Sequence, residues 1–194
     1  LTYIEYLKDD LQEGRRKKTL EYVFKLNPKR VLDVGGGEAI TSYKLAVWGI
    51  DTTVIDIGNE FSKKLNDIAK EENLPLEYFG STNLFKFEPE DKFDVVFSME
   101  VIEHLKKWKK AIVKMINMAD REVVITTPVR NKIHDPGHIQ SFRKKDFKWI
   151  KELEEVEKLN IEIIEVPIKS GKNYDRIEYK PYVFFITIKL NKER

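Results

Sequence analysis

Cysteine is missing altogether from this 194-residue sequence, which excludes a disulfide framework, a thiolate metal site and a cysteine nucleophile. Glutamine is nearly missing too. Only Gln12 and Gln140 occur, while lysine and glutamate abound, a bias shared with heat-adapted proteins. Net charge is small, since 35 basic against 33 acidic residues leave +2. No bulk attraction to nucleic acid is built in, although a local patch escapes such a count. No apolar run approaches the roughly 18 residues of a membrane span. Internal repeats, low-complexity tracts and linker-like stretches are absent as well. These absences leave a single domain over residues 1–194, long enough to bury its own core, with a cytoplasmic location expected. The first residue is Leu1 rather than Met, so the expectation is that a leader can precede it.

What is present alternates. Ile4, Leu7 and Leu11, then Leu20, Val23 and Phe24, keep helical spacing over residues 2–26, with Gly14 a point of division. "RVLDV" reads as a short buried strand and residues 38–48 as a helix. "TTVIDI", "LEYF", "FDVVFS" and "EVVITT" read as further strands, with helices at residues 60–73, 109–118 and 144–159. The last two strands, "IEIIEVPI" and "YVFFITIKL", are joined by a polar loop and read as an antiparallel pair. Alternation followed by a hairpin predicts an α/β fold, a mainly parallel, doubly wound sheet with an antiparallel edge.

"VLDVGGGEA" sets Gly35, Gly36 and Gly37 between the first strand and its helix. The triple glycine alone is either a tight turn or a place where the backbone approaches a ligand. Asp56 tips the balance, ending the second strand near the roughly 20-residue distance of a carboxylate that grips ribose hydroxyls. A nicotinamide fingerprint would need glycine where Ile40 stands. Asp33 before the glycines and Glu38 after them would repel a pyrophosphate, yet they suit a ligand carrying an ammonium and a sulfonium. That points to S-adenosylmethionine.

"VLDVGGGEA", "VIDI" and "FDVVFSMEVIEHL" together resemble the successive motifs of class I S-adenosylmethionine-dependent methyltransferases, over roughly residues 30–150. The resemblance implies a Rossmann-like, seven-stranded fold with a helical cap at 1–28, a cofactor-binding half at 29–100 and an acceptor-side half at 101–194. It also implies that Asp33, Gly35, Gly36 and Gly37 lie under the methionyl part, with Ala39 in place of a last glycine. Asp56 is implied at the ribose with Ile57 beside it, and Ser98 at the edge of strand four. Ser81 and Thr82 stand where the family often has an aspartate near the adenine amine.

Glu100, Glu103 and His104 follow strand four, at the edge where open α/β sheets bind ligands. If residues 100–105 begin a helix, the three share one face. They then serve as acid/base groups, as ligands for a divalent ion, or only as a helix start. "TTPVRNKIHDPGHIQSF" follows strand five and is expected to bring His134, Asp135 and His138 over the same edge. E-x-x-E-H, a T-P turn and H-x-x-x-F resemble ubiquinone-pathway O-methyltransferases and small-RNA terminal 2′-O-methyltransferases. The resemblance implies a divalent metal (Mg, Mn or Zn) on Glu100, Glu103, His104 and His138, with His134 an alternative ligand. Without a metal, His104, His134 or His138 is a candidate general base.

The acceptor expected is a small molecule carrying a hydroxyl. Lys106, Lys107, Lys109 and Lys110, with Arg143, Lys144 and Lys145, keep RNA open as an alternative, or form a solvated helix face. Trp108 either covers that helix or offers a stacking surface. The loop holding Tyr174 and Arg176 is a lid or a plain turn.

Overall fold

The computed structural model describes residues 14–129, 137–165 and 182–191. Its strands are β1 (Arg30–Val34), β2 (Asp51–Ile55), β3 (Leu76–Phe79), β4 (Phe93–Met99), β5 (Ala119–Pro128), β6 (Val156–Glu165) and β7 (Tyr182–Leu190). The helices are α1 (Gly14–Lys25), α2 (Ile40–Val47), α3 (Ser62–Glu71) and α4 (Trp108–Met118), with 3-10 segments at Ile102–His104 and Lys144–Glu152. One seven-stranded sheet runs in the order β3-β2-β1-β4-β5-β7-β6. The pairs among β1 to β5 are parallel, whereas β7 runs antiparallel between β5 and β6. The expected architecture is the one observed.

The apolar pattern explains why both faces are covered. In β4, Val96 sinks into a core shared with Ile112, Met115, Phe147 and Phe184. Its neighbours Val95 and Phe97 turn to the opposite core, with Leu20, Val23 and Leu45. Strands buried on both faces need continuous apolar runs, and β4 has one. Because β1 lies between β2 and β4, the chain first winds outward to β3 and then returns to β4. That reversal opens a crevice at the C-terminal ends of β1 and β4.

Two expected elements are corrected. The helix at 144–159 is a 3-10 segment that stops at Glu152, and the strand expected from Ile161 begins at Val156. Phe147 and Ile150, three apart, are the buried residues of that segment, the spacing a 3-10 helix aligns. Beyond it, β7 has nine residues to satisfy and pairs them from Leu190 with Val156 to Tyr182 with Glu165. Pairing with β7 outweighs the helical charge pattern of this stretch. Likewise, residues 100–105 do not begin an α-helix; within them Ile102–His104 forms one 3-10 turn. Glu100 stands before it with φ of 57°.

Of the expected N-terminal helices, residues 14–25 are helical. Residues before Gly14, His134 and Asp135, and Tyr174 and Arg176, for which the sequence also raised expectations, lie outside the described residues.

Candidate functional site: a donor cleft and a carboxylate–histidine cluster

A cleft of about 340 Å³ opens at the crevice, lined on one side by Val34, Gly35, Ile55, Asp56 and Ile57. Glu100, Val101, His104 and Leu105 close it on the other, and Thr82 to Phe85 across its end. Gly35 has φ of 76°, and a Cβ there would sit 2.3 Å from Cγ2 of Val101. Glycine is therefore required by the approach of the β4 side of the cleft. Ala39, which stands in for a last glycine, also adopts the left-handed conformation, φ 52°, while its methyl group is buried.

Asp56 lies just past β2, its carboxylate aimed back at the loop. The Gly37 N–H donates to Oδ2 at 2.9 Å and the Gly58 N–H to Oδ1 at 2.7 Å. A carboxylate has about four acceptor sites, so both oxygens retain capacity towards the cleft. Ile57 beside it is exposed.

Asp33 is different. It is buried beneath the loop and accepts from the Ser42 hydroxyl at 2.6 Å on Oδ2, while its Oδ1 has no hydrogen-bond partner among the described residues. Burial, with the Asp56 charge adding to it, pushes its pKa up to about 7. Glu38 is paired with Arg16 of α1 at 3.4 Å.

Not every expected cofactor residue reaches the cleft. Ser98 is buried and donates to the Val34 carbonyl at 2.9 Å, tying β4 to β1. Ser81 takes a left-handed turn, φ 54°, with its N–H on the Gly58 carbonyl, while Thr82 after it lines the cleft. Gly36 and Gly37 stand behind Gly35 rather than in the wall. Sequence reasoning missed Val101, Leu105, Leu84 and Phe85. Their signal was present, as apolar residues among polar ones beyond a strand end.

At the inner end of the cleft a second group gathers. Ligand atoms of Glu103, His104 and His138 all lie within 4.8 Å of one another. The His104 and His138 rings meet edge to face at 4.8 Å between centroids. The β5 end, once the chain has left the sheet, returns over β4: Ile139 and Gln140 N–H groups donate to the Glu103 carbonyl at 3.0 and 2.9 Å. His104 Nδ1 lies 2.8 Å from the Gly137 carbonyl. A carbonyl only accepts, so Nδ1 carries a proton, and in the neutral ring the lone pair is then on Nε2.

Glu103 is 1% exposed. Thr127 donates to its Oε2 at 3.0 Å, and its equally buried Oε1 has no protein partner among the described residues. Desolvation first, then the Glu100 charge, raise its pKa well above the ordinary carboxylate range, while Arg15 of α1 opposes the shift. Glu100 is near them but is not one of the three converging ligands. It accepts from the Thr126 hydroxyl at 3.3 Å and lines the donor cleft. Two threonines of β5, side by side in sequence, thus serve two different glutamates.

A family model described as a methyltransferase domain matches residues 3–155, most of the chain. This chain belongs to that family. The methyltransferase is 32% identical over 100 residues to the ubiquinone biosynthesis O-methyltransferase of Rickettsia akari, 52% of this chain and 39% of that one. Over 75 residues it is 39% identical to the Paramagnetospirillum magneticum enzyme of the same description, 39% of this chain and 30% of that one. It therefore spans less than half the length of these curated relatives. Among solved structures, magnesium protoporphyrin IX methyltransferase from Synechocystis with bound SAH superposes with a TM-score of 0.68 at 14% identity. That match covers 91% of this chain and 82% of that one, and it concerns the fold. Family and fold make this a class I S-adenosylmethionine-dependent methyltransferase domain, with that molecule as its cofactor. No helix among the described residues is long and apolar enough to cross a membrane.

Proposed function

We propose that this methyltransferase domain transfers the methyl group of S-adenosylmethionine to a hydroxyl oxygen of a small acceptor, beside a divalent metal. The observation that carries the reading is the double membership of His104. It lines the donor cleft and also belongs to the converging cluster with Glu103 and His138. Donor and acceptor chemistry then meet at one residue.

In this reading the donor lies along the cleft, its ribose on Asp56, its adenine end towards Ile57 and the segment from Thr82 to Phe85. Gly35 and Val101 flank the methionyl end, with the buried Asp33 carboxyl group beneath the loop. The acceptor hydroxyl approaches from the His104 side. The S–CH3 bond breaks as the O–CH3 bond forms, sulfur keeps the electron pair, and the acceptor's proton leaves. Alignment of the reacting atoms supplies much of the rate. The proton goes to His104 Nε2 where that atom is free, which makes His104 the general base and His138 its neighbour in the cluster.

The donor set fits a metal. Glu103 Oε1 is buried without a partner among the described residues, and one carboxylate oxygen with two imidazole nitrogens suits Mn, Zn or, with added water, Mg. Glu103, His104 and His138 would hold the ion, with Glu100 close by, and a bound ion would lower the pKa of the acceptor hydroxyl and fix its oxygen. The curated relatives' printed activity, ubiquinone biosynthesis O-methylation, supports an oxygen acceptor. A panel of phenols and catechols with labelled donor, with and without chelator, is the test. Transfer to oxygen that stops on chelation is the expected result. Transfer only to nitrogen or carbon, or chelator-insensitive activity, would sink the oxygen or the metal half respectively. Binding of S-adenosylhomocysteine with no transfer to any acceptor would make the domain a donor-binding module instead.

One observation favours RNA as a second acceptor class. Residues 105–118 and 143–151 together carry ten lysines and arginines against a single acid, Asp146. The two stretches are joined where Trp108 meets Trp149, and Lys109 lies over both rings at 5.6 and 5.5 Å. The rest of the chain is correspondingly net negative, so this basic face stands out beside the cluster. Short RNAs belong in the acceptor panel, and salt-sensitive methylation of them would move the reading to this class.

A further inference from the structure

We infer that Tyr78 is a positioning residue for donor binding, acting through the Gly37 carbonyl on the Asp56 carboxylate. The inference rests on the reading of Asp56 as the ribose-binding group. Tyr78 sits on β3, an edge strand two strands away from the glycine loop. Its side chain is nearly fully buried, and its hydroxyl donates to the Gly37 carbonyl at 2.8 Å. Gly37 in turn donates its N–H to Asp56 Oδ2 at 2.9 Å.

Packing does not fix Gly37 among the described residues. Its φ is 52°, and no atom lies within 4 Å of where a Cβ would be, so no packing against that side fixes its torsions. The two hydrogen bonds, one on each side of the residue, therefore set the angle at which its N–H meets Asp56. Tyr78 is itself pinned from the next layer. Asn66 of α3 accepts from the Tyr78 N–H at 2.8 Å and donates to the Tyr78 carbonyl at 2.9 Å. That side-chain amide replaces the neighbour an edge strand lacks. The tyrosine ring packs among Ala39, Ile40, Tyr43, Val54 and Leu65, which hold the base of α2 and α3 together. A relay thus runs from α3 through the edge of the sheet to the carboxylate facing the donor.

A buried hydroxyl that merely satisfies a carbonyl would cost stability when removed and leave ligand affinity alone. A double-mutant cycle separates the two cases. S-adenosylhomocysteine affinity is measured by calorimetry for the unaltered chain, Tyr78→Phe, Asp56→Ala and the double variant, with apo thermal melts to show that each is folded. Loss of one oriented hydrogen bond predicts that Tyr78→Phe weakens binding on the order of five- to tenfold. In the Asp56→Ala background, where no side-chain oxygen is left to accept the Gly37 N–H, the same change is expected to add less than about twofold. An equal effect in both backgrounds, or none in either, overturns the inference and leaves Asp56 untouched. Unchanged affinity in Asp56→Ala alone overturns the ribose assignment, and the inference with it. Asn66→Asp serves as the second variant should Tyr78→Phe melt early. It keeps the acceptor, loses the donor to the Tyr78 carbonyl, and is expected to show the same background dependence.

Discussion

Thr127 donates a hydrogen bond from its hydroxyl to one oxygen of Glu103 at 3.0 Å, while the other oxygen of that buried carboxylate meets no donor among the described residues. A buried acceptor left open costs about 1–3 kcal/mol, and here it points into a cluster with two imidazoles.

Manganese binding is therefore expected to depend on both residues. Glu103→Gln removes the anionic ligand and should abolish measurable binding. Thr127→Val keeps the ligand but frees its orientation, and a loss of roughly 10–100-fold is expected. Burial and the Glu100 charge hold the Glu103 carboxyl protonated further up the pH scale than usual. The ion must displace that proton, so affinity should climb between pH 6 and 8. Titration of the apo protein with manganese, followed by electron paramagnetic resonance, checks all three; binding indifferent to Glu103→Gln would refute the site.

Asp33 predicts a pH-dependent stability. Its folded pKa is about 7, against about 4 in an unfolded chain. The folded state thus holds a proton that the unfolded state loses from about pH 4 upward. Stability from this group is full below that value, declines as pH rises, and levels off above about 7. Ser42, Asp56 and Arg16 are the groups acting on it, alongside burial itself. Asp33→Asn abolishes the titration, so relative to the unaltered chain it should gain roughly 2–4 kcal/mol on going from pH 5 to pH 8. Urea unfolding at both values measures this.

The glycine loop allows a paired comparison. Gly35→Ala sets a methyl group 2.3 Å from Val101 at a φ of 76°, and a loss of about 3 kcal/mol or more is expected. Val101→Ala in the same chain should restore part of it. Ala39→Gly removes strain of about 1–2 kcal/mol but also a buried methyl group worth about 0.8 kcal/mol. A net change within about 1 kcal/mol should follow. Denaturant midpoints separate these outcomes, and a severe loss for Ala39→Gly would show that the methyl group matters more than its backbone strain.

Trp108 packs edge-on against Phe142, Phe147 and Trp149, at 5.0, 5.7 and 6.2 Å between centroids. It joins α4 to the segment that follows His138. Trp108→Ala is expected to cost roughly 3 kcal/mol and to weaken manganese binding as that segment loosens. If melts fall while metal affinity is unchanged, the aromatic cluster supports the core alone.

The residues that local chemistry governs were legible in the one-dimensional pattern. Glycines followed by a carboxylate past the next strand marked the donor loop, and apolar runs of strand length marked β1, β2 and β4. Two histidine-bearing segments were expected over one edge, and His104 and His138 do meet there. Long-range pairing was harder to see. The stretch after Lys144 has helical spacing of charge and apolar residues, yet β7 claims its second half as β6. Glu100 was aligned with Glu103 and His104 on a helix that does not form, because its backbone turns left-handed as it leaves β4. Ser98 and Ser81 had suitable chemistry for the cleft but point elsewhere, since side-chain direction depends on strand register and turn geometry.

The identity of the groups and the order of the elements follow from composition and periodicity along the chain. Which groups share a space follows only from how the chain folds: Glu103 with two histidines, Tyr78 with a loop two strands away. Those distances are set by strand order and packing, and neither leaves a mark in local spacing.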